Sequence, residues 1–275
     1  MQETSGATDT QDKVQDQELA ELALEEADFA GAALDPSPNF GPRRDGKTPV
    51  YLILHYTGLA TAQEAVDILK SPEMQVSAHY LVHEDGQVAQ MVSEKARAWH
   101  AGKSFWKGET DINSASIGIE IVNPGNLEDY PPFKDEQIEA VIGLCRDICE
   151  RYAILPENVL AHSDIAPARK TDPGHNFPWK RLYEAGIGHF IEPTPIRDGR
   201  FLARGEQGQP VEALQSMLAL YGYGIEITGI FDEATEIVVK AFQRHFRTQN
   251  VDGVADVSTI DTLYRLIFSR QNVTA

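Results

Sequence analysis

Sulfur, positive charge and long apolar runs are all scarce in this sequence, and each shortage removes a class of function. Only two cysteines occur in 275 residues, Cys145 and Cys149. They recur with Ile138, Val141, Ile142, Ile148 and Tyr152 at helical spacing, so both sit on the apolar face of one helix and core packing is their expected role. A zinc pair or a redox CxxC motif needs a different spacing and further ligands. No apolar run reaches the roughly eighteen residues that suit a membrane-spanning helix. The N-terminus lacks the basic head and apolar middle of a signal peptide. The chain as written is therefore expected in the cytoplasm, with the periplasm or cell envelope as the alternative if a leader was removed or export takes another route. Lys and Arg number 24 against 42 Asp and Glu, a net charge of -18. That balance argues against nucleic acid, which is bound mainly through basic side chains. No feature specifies an oligomeric state.

The acidity is local. Positions 1–35 hold ten acids against the single Lys13, about half of the net charge. With few aromatics, residues 1–36 are expected to form an acidic, disordered tail, at best a transient helix around Glu18 to Phe29, with a solubilising role favoured over docking to a partner. Pro36-Ser37-Pro38-Asn39-Phe40-Gly41-Pro42 opens the folded part, which is long enough for one large domain or two modest ones.

Tyr51-Leu52-Ile53-Leu54-His55 is a continuous apolar run closed by His, the pattern of a strand buried on both faces, and it delivers His55 to a strand end. Ala62 to Leu69 predicts a surface helix. His79 to His83 and Val88 to Val92 read as the arms of a hairpin around Asp85-Gly86. Residues 93–113 are loop-like, and Trp99 and Trp106 on that loop either line a groove or cap the core. In Ser116-Ile117-Gly118-Ile119-Glu120-Ile121-Val122 the isoleucines point to one side, which puts Glu120 on the other with the small Gly118. A mid-strand Glu is costly to bury alone, so its partner is either a cation or an Arg in a salt bridge.

Val159-Leu160-Ala161-His162 is a second short strand ended by His. From Ala161 to Gly174, the prolines and glycine predict a rigid loop rather than a helix, and it returns Asp172 close to His162. Two His and one carboxylate meet zinc's need for three protein ligands and an open fourth position. By spacing alone, a lone His at a strand end is more often a hydrogen-bonded structural residue than a ligand.

The blocks His55-Tyr56-Thr57, Ser77-Ala78-His79-Tyr80-Leu81-Val82, Ala98-Trp99-His100-Ala101-Gly102, Ser116-Ile117-Gly118-Ile119-Glu120 and Ala161-His162-Ser163-Asp164 through Arg169-Lys170-Thr171-Asp172-Pro173-Gly174 resemble, in order, the type 2 N-acetylmuramoyl-L-alanine amidases. That family shares its fold with phage amidases and peptidoglycan recognition proteins, and the resemblance is to its anhydro-muropeptide branch. It implies that His55, His162 and Asp172 bind Zn²⁺, that Glu120 is the acid/base residue, and that Lys170 faces the reacting carbonyl. Trp99, His100, Asn113 and Arg169 fall in segments that line the family's cleft. Some relatives carry Cys where Asp172 stands, and the carboxylate here points to the bacterial variant.

Past His189 the sequence changes. A Pro-bearing linker over 191–199 leads into an internal repeat, with Val211-Glu212-Ala213-Leu214-Gln215 echoed by Val239-Lys240-Ala241-Phe242-Gln243, and the Gly229 to Thr235 stretch echoed from Gly253 to Thr259. Gly allows a turn and Asp caps the helix after it, predicting helices near 210–222, 232–246 and 256–270. This part, residues 200–271, resembles the peptidoglycan-binding domain attached to wall hydrolases.

The expectation is an α/β catalytic domain over 37–190, a mixed central sheet flanked by helices, followed by a small three-helix domain. The implied activity is zinc-dependent cleavage between N-acetylmuramic or anhydro-N-acetylmuramic acid and L-alanine, in wall turnover or recycling, with peptidoglycan or muropeptide as the partner. The rivals are a non-catalytic peptidoglycan-binding protein and a zinc peptidase of the stem peptide. The missing signal peptide favours cytoplasmic recycling, whereas a wall-binding module favours the envelope.

Overall fold

The computed structural model describes Gln17 and residues 19–271. Six strands form one sheet in the order β1 (Ala32–Leu34), β5 (Val88–Gln90), β4 (Tyr80–Val82), β7 (Ser116–Ile121), β3 (Tyr51–Tyr56) and β8 (Val159–Ala161). The β4–β5 hairpin is antiparallel and the other pairings are parallel. β2 (Phe40–Gly41) and β6 (Arg97–Ala98) pair separately.

The alternation of side chains along β3 decides what each face of the sheet does. Leu52 and Leu54 join Ile117, Ile119 and Ile121 of β7 in a core covered by a long helix, α3 (Asp135–Tyr152), through Ile138, Val141, Ile142, Cys145 and Ile148. Cys145 is buried and Cys149 half-buried, both with free thiols on the helix's packed side. Tyr51 and Ile53 point the other way, into a second core. His55 continues that second face, and the parallel register sets it level with Glu120. At the rim, α1 (Ala62–Lys70) starts with a capping box in which Thr61 Oγ1 accepts from the Glu64 amide at 3.2 Å and Glu64 accepts from the Thr61 amide at 3.1 Å.

The expected disordered tail over 1–36 needs correction at its C-terminal end. Ala32–Leu34 is an edge strand paired in parallel with β5, and Phe29 and Ala32 pack against the core beneath α3. Asp28 accepts from the Gln90 side chain at 2.5 Å and from the Glu94 amide at 2.9 Å. Average composition hides this short apolar patch among acids, and backbone pairing is indifferent to composition. Residues 1–16 lie outside the described residues. A second difference concerns the stretch from Ala161 to Gly174, where one helical turn, α4 (His162–Ile165), precedes the loop.

The C-terminal helices are α6 (Gln209–Tyr221), α7 (Glu233–Phe246) and α8 (Val257–Gln271); α2 (Ile112–Ala115) and α5 (Trp179–Glu184) are short. The repeat has a structural cause. Gln215 accepts from the Thr228 and Gly229 amides, both at 2.9 Å, and donates to Ile230 O at 3.0 Å. Gln243 does the same at the second turn, accepting from the Gly253 amide at 2.8 Å and donating to Val254 O at 2.9 Å. Gly229 and Gly253 have φ of 70° and 81°, which favours glycine. Asp232 and Asp256 then cap α7 and α8 through the Thr235 and Thr259 amides.

This helical part is not a bead on a tether. Its core residues Leu214, Leu218, Phe231 and Phe242 are continuous with Tyr51, Ile53, Trp106 and Ile112 of the sheet part. Trp106 is fully buried, with the rings of Tyr221 and Tyr223 edge-on at 6.1 and 4.9 Å. The linker is held along α8, where Ser258 donates to Thr194 O at 2.6 Å and Arg265 to Glu192 O at 3.0 Å.

Candidate active site

The strand ends at one edge of the sheet converge on a cleft of about 430 Å³. β3 delivers His55, β7 delivers Glu120, and β8 leads into α4, which starts with His162; the loop beyond brings back Asp172. His55 Nδ1, His162 Nδ1 and Asp172 Oδ2 form a triangle with sides of 2.9, 3.0 and 2.9 Å. All three residues are buried, and among the described residues this is the group of metal-ligand type whose donor atoms come together.

The triangle is ill suited to hydrogen bonding alone. A proton on either Nδ1 satisfies one neighbour and leaves the remaining lone pairs facing each other. The outer nitrogens also oppose such a proton. His162 Nε2 lies 3.2 Å from Ala101 O, so it carries the proton and Nδ1 is bare. For His55 the tautomer is set along a chain. Ser116 donates to Ile112 O at 2.6 Å and so accepts from His100 Nε2 at 3.1 Å; His100 Nδ1 then accepts from His55 Nε2 at 3.0 Å. His55 Nδ1 is left as a lone pair. Burial, and next His162, push the His55 pKa down to about 4, which keeps it neutral. Tetrahedral zinc with bonds of about 2.0–2.1 Å places its ligand atoms about 3.3 Å apart, a few tenths of an ångström wider than this triangle. The donor set fits such an ion.

Glu120 stands beside the triangle. Its Oε2 is buried with no partner among the described residues, and desolvation, followed by the charge of Asp172, raises its pKa well above the ordinary value while Lys170 pulls it down. Of the two partners open to Glu120 from sequence, a cation or an Arg, no Arg pairs with it among the described residues.

Trp99 is half-buried on the cleft wall, and Lys170 and Arg169 line the same space. Arg169 is anchored by bonds to Ala101 O at 2.9 Å and Lys103 O at 2.8 Å. His100 lines the cleft as well, next to His55 and over Gly118, where a Cβ would lie 2.4 Å from the imidazole Cγ. Gly118 thus makes room for the ring that orients His55. Asn113 is not on the cleft wall. It is buried, and its Oδ1 accepts from the His100 and Ala101 amides at 3.0 and 2.8 Å, so it braces the loop from within. Trp106 caps the core. Tyr56, Asn126 and Thr171 also line the cleft, and Tyr56 Oη lies 2.8 Å from Thr171 Oγ1. The position of Tyr56 directly after His55 was the available signal for it.

The sequence profile of the family described as N-acetylmuramoyl-L-alanine amidase matches residues 45–175, and that of a peptidoglycan binding domain matches residues 207–263. The N-acetylmuramoyl-L-alanine amidase AmiD of Escherichia coli (strain K12) is 40% identical over 222 residues, covering 76% of this chain and 78% of AmiD. The chain belongs to the N-acetylmuramoyl-L-alanine amidase family. The 1,6-anhydro-N-acetylmuramyl-L-alanine amidase AmpD of the same organism is 33% identical over 178 residues, 58% of this chain and 95% of AmpD. Among solved structures, this amidase is similar to E. coli AmiD in complex with the substrate anhydro-N-acetylmuramic acid-L-Ala-D-gamma-Glu-L-Lys, with a TM-score of 0.69, 34% identity and coverage of 89% of this chain and 93% of that one. It is also similar to AmpDh3 from Pseudomonas aeruginosa, with a TM-score of 0.67, 31% identity and coverage of 90% and 99%. The mixed sheet flanked by helices, with further helices at the C-terminus, is the architecture expected from the sequence. No helix among the described residues is long and apolar enough to cross a membrane.

Proposed function

We propose that this amidase uses zinc to hydrolyse the amide bond between the lactyl group of N-acetylmuramic or anhydro-N-acetylmuramic acid and the L-alanine of a stem peptide. The observation that carries this reading is the triangle of His55, His162 and Asp172 donors with the unpartnered carboxyl of Glu120 at its side. The substrate named for the similar AmiD complex supports the choice of bond. Two imidazoles, one carboxylate and an open cleft favour zinc among the common metals. When bound, zinc lowers the pKa of water towards neutrality and polarises a carbonyl as a Lewis acid.

In this reading His55, His162 and Asp172 hold the ion. Glu120 takes a proton from the attacking water and passes it to the leaving nitrogen of alanine, a role that its raised pKa suits. The Lys170 ammonium faces the oxyanion that forms on the former carbonyl, a contribution of about 3 kcal/mol for one well-placed donor. Trp99 offers a flat face to the sugar or to an apolar side chain, and Arg169 sets positive charge on the rim. Residues 37–190 serve as the catalytic domain, 191–199 as the linker and 200–271 as a wall-binding domain. A non-catalytic binder has no use for the donor triangle or for a carboxyl of raised pKa.

Mass analysis of the products tests the bond. A free lactyl carboxyl on the sugar supports the amidase, and an intact lactyl-alanine overturns it in favour of a peptidase. Chelation is expected to abolish turnover and added zinc to restore it; activity that survives rigorous chelation removes the metal from the mechanism. Parallel assays on intact wall and on soluble anhydro-muropeptide, with cell fractionation, assign substrate and compartment.

A further inference from the structure

One carboxylate in the metal-binding segment serves neither the cleft nor the ion. Asp164 lies on α4, two residues beyond His162, and is fully buried. Its Oδ2 accepts from the Ala161 amide at 2.8 Å, which ties the turn to the end of β8. Its other partners come from the C-terminal helical part. Tyr223 Oη donates to Oδ1 at 2.6 Å, and His245 Nδ1 donates to Oδ2 at 2.6 Å.

Both donors are themselves fixed. The His245 imidazole is stacked between Trp179, at 3.7 Å between ring centres, and Phe246, at 3.8 Å. The Tyr223 ring meets Trp106 edge-on at 4.9 Å. Burial, and next the charge of Asp164, raise the Tyr223 pKa well above its ordinary value, so the hydroxyl stays protonated and donates. From Asp164 the restraint reaches the ligands by short routes. His162 opens the same helical turn, and the Ser163 amide donates to Asp172 O at 3.0 Å, linking the turn to the third ligand.

We infer that Tyr223 and His245 are positioning residues for the metal site, acting through Asp164: the C-terminal helical part is a strut that holds the segment carrying His162 and Asp172 in its ligating arrangement. This rests on the reading of the triangle as a zinc site. It gives the helical part a role in the reaction separate from any affinity for wall. A buried carboxylate that loses one donor keeps its desolvation penalty, and the cheapest relief is movement of the turn that bears it.

The test uses the full chain, with Zn²⁺ as the probe. Tyr223→Phe removes only the hydroxyl. His245→Leu removes the donor, and His245→Asn restores an N–H near the position of Nδ1. Zinc affinity of each apoprotein is measured by competition with a chromogenic chelator, alongside kcat, KM and thermal unfolding. Tyr223→Phe and His245→Leu are expected to weaken zinc binding by about tenfold and to lower kcat with KM within about twofold, while His245→Asn recovers most of the affinity. Wild-type affinity in both disrupting variants overturns the strut, as does equal loss in the Leu and Asn variants, which assigns the effect to packing. A wild-type chain that takes up no zinc overturns the metal-site reading and the strut with it, an outcome distinct from the other two.

Discussion

Replacing Glu120 with Gln separates chemistry from architecture, because the two effects have opposite signs. Gln keeps the shape of the side chain but cannot take a proton from water at neutral pH. General acid–base catalysis by one positioned group contributes about 10²–10⁴-fold, so kcat is expected to fall by that factor, about 3–5 kcal/mol in the barrier. Zinc content should not change, since the donors that meet in the triangle are those of His55, His162 and Asp172.

Stability should move the other way. In the apoprotein, the Glu120 carboxyl has a buried oxygen with no partner and a pKa raised by desolvation and by Asp172. A carboxyl whose folded pKa is raised binds its proton more tightly in the folded state, so it destabilises the fold once the pH exceeds the unfolded value near 4.3. The destabilisation grows up to the folded pKa and is constant above it. The metal-free Glu120→Gln protein should therefore unfold at a higher temperature than metal-free wild type at neutral pH, and the gap should close as the pH falls to about 4. Each unit by which the folded pKa is raised corresponds to about 1.4 kcal/mol, and each kcal/mol moves Tm by about 2–4 °C in a protein of this size. Calorimetry across pH and steady-state kinetics read both effects. A variant within tenfold of the wild-type rate removes Glu120 from proton transfer, and a lower Tm at neutral pH refutes the description of its environment.

Two other substitutions test the scaffold. Gly118→Ala places a methyl 2.4 Å from His100 Cγ, displacing the ring that fixes the His55 tautomer, so zinc affinity should fall by about 10–100-fold in chelator competition; unchanged affinity means that the chain from Ser116 to His55 is incidental. Trp106→Ala should cost about 3–5 kcal/mol and lower one shared calorimetric transition, because Trp106 joins the sheet part to the helical part; two transitions with only one shifted would show that the parts unfold independently.

Local patterns were enough for most of the fold. The apolar run of β3, the alternation of β7, the Asp85-Gly86 turn and the helical spacing around Cys145 each depend on neighbours in sequence, and the elements stand where those patterns put them. The edge strand Ala32–Leu34 escaped because its partner, β5, is distant in sequence and supplies backbone bonds that composition does not encode.

The candidate site divides the same way. Strand periodicity alone set Glu120 apart from the isoleucines and put His55 at a strand end, and resemblance to known amidases supplied the rest of the set. That the Nδ1 atoms of His55 and His162 meet an Asp172 oxygen within 3.0 Å is a product of sheet register and loop return. Asn113 shows the limit. It lies near the cleft in sequence, yet it is spent on backbone amides, because a buried polar group takes the nearest partner that the packing offers. The sequence likewise defined a helical repeat with its own core, but not its attachment. Only the tertiary structure brings Tyr223 and His245 onto Asp164, because contacts between segments some 60 to 80 residues apart are set by the packing of completed elements, which local periodicity does not record.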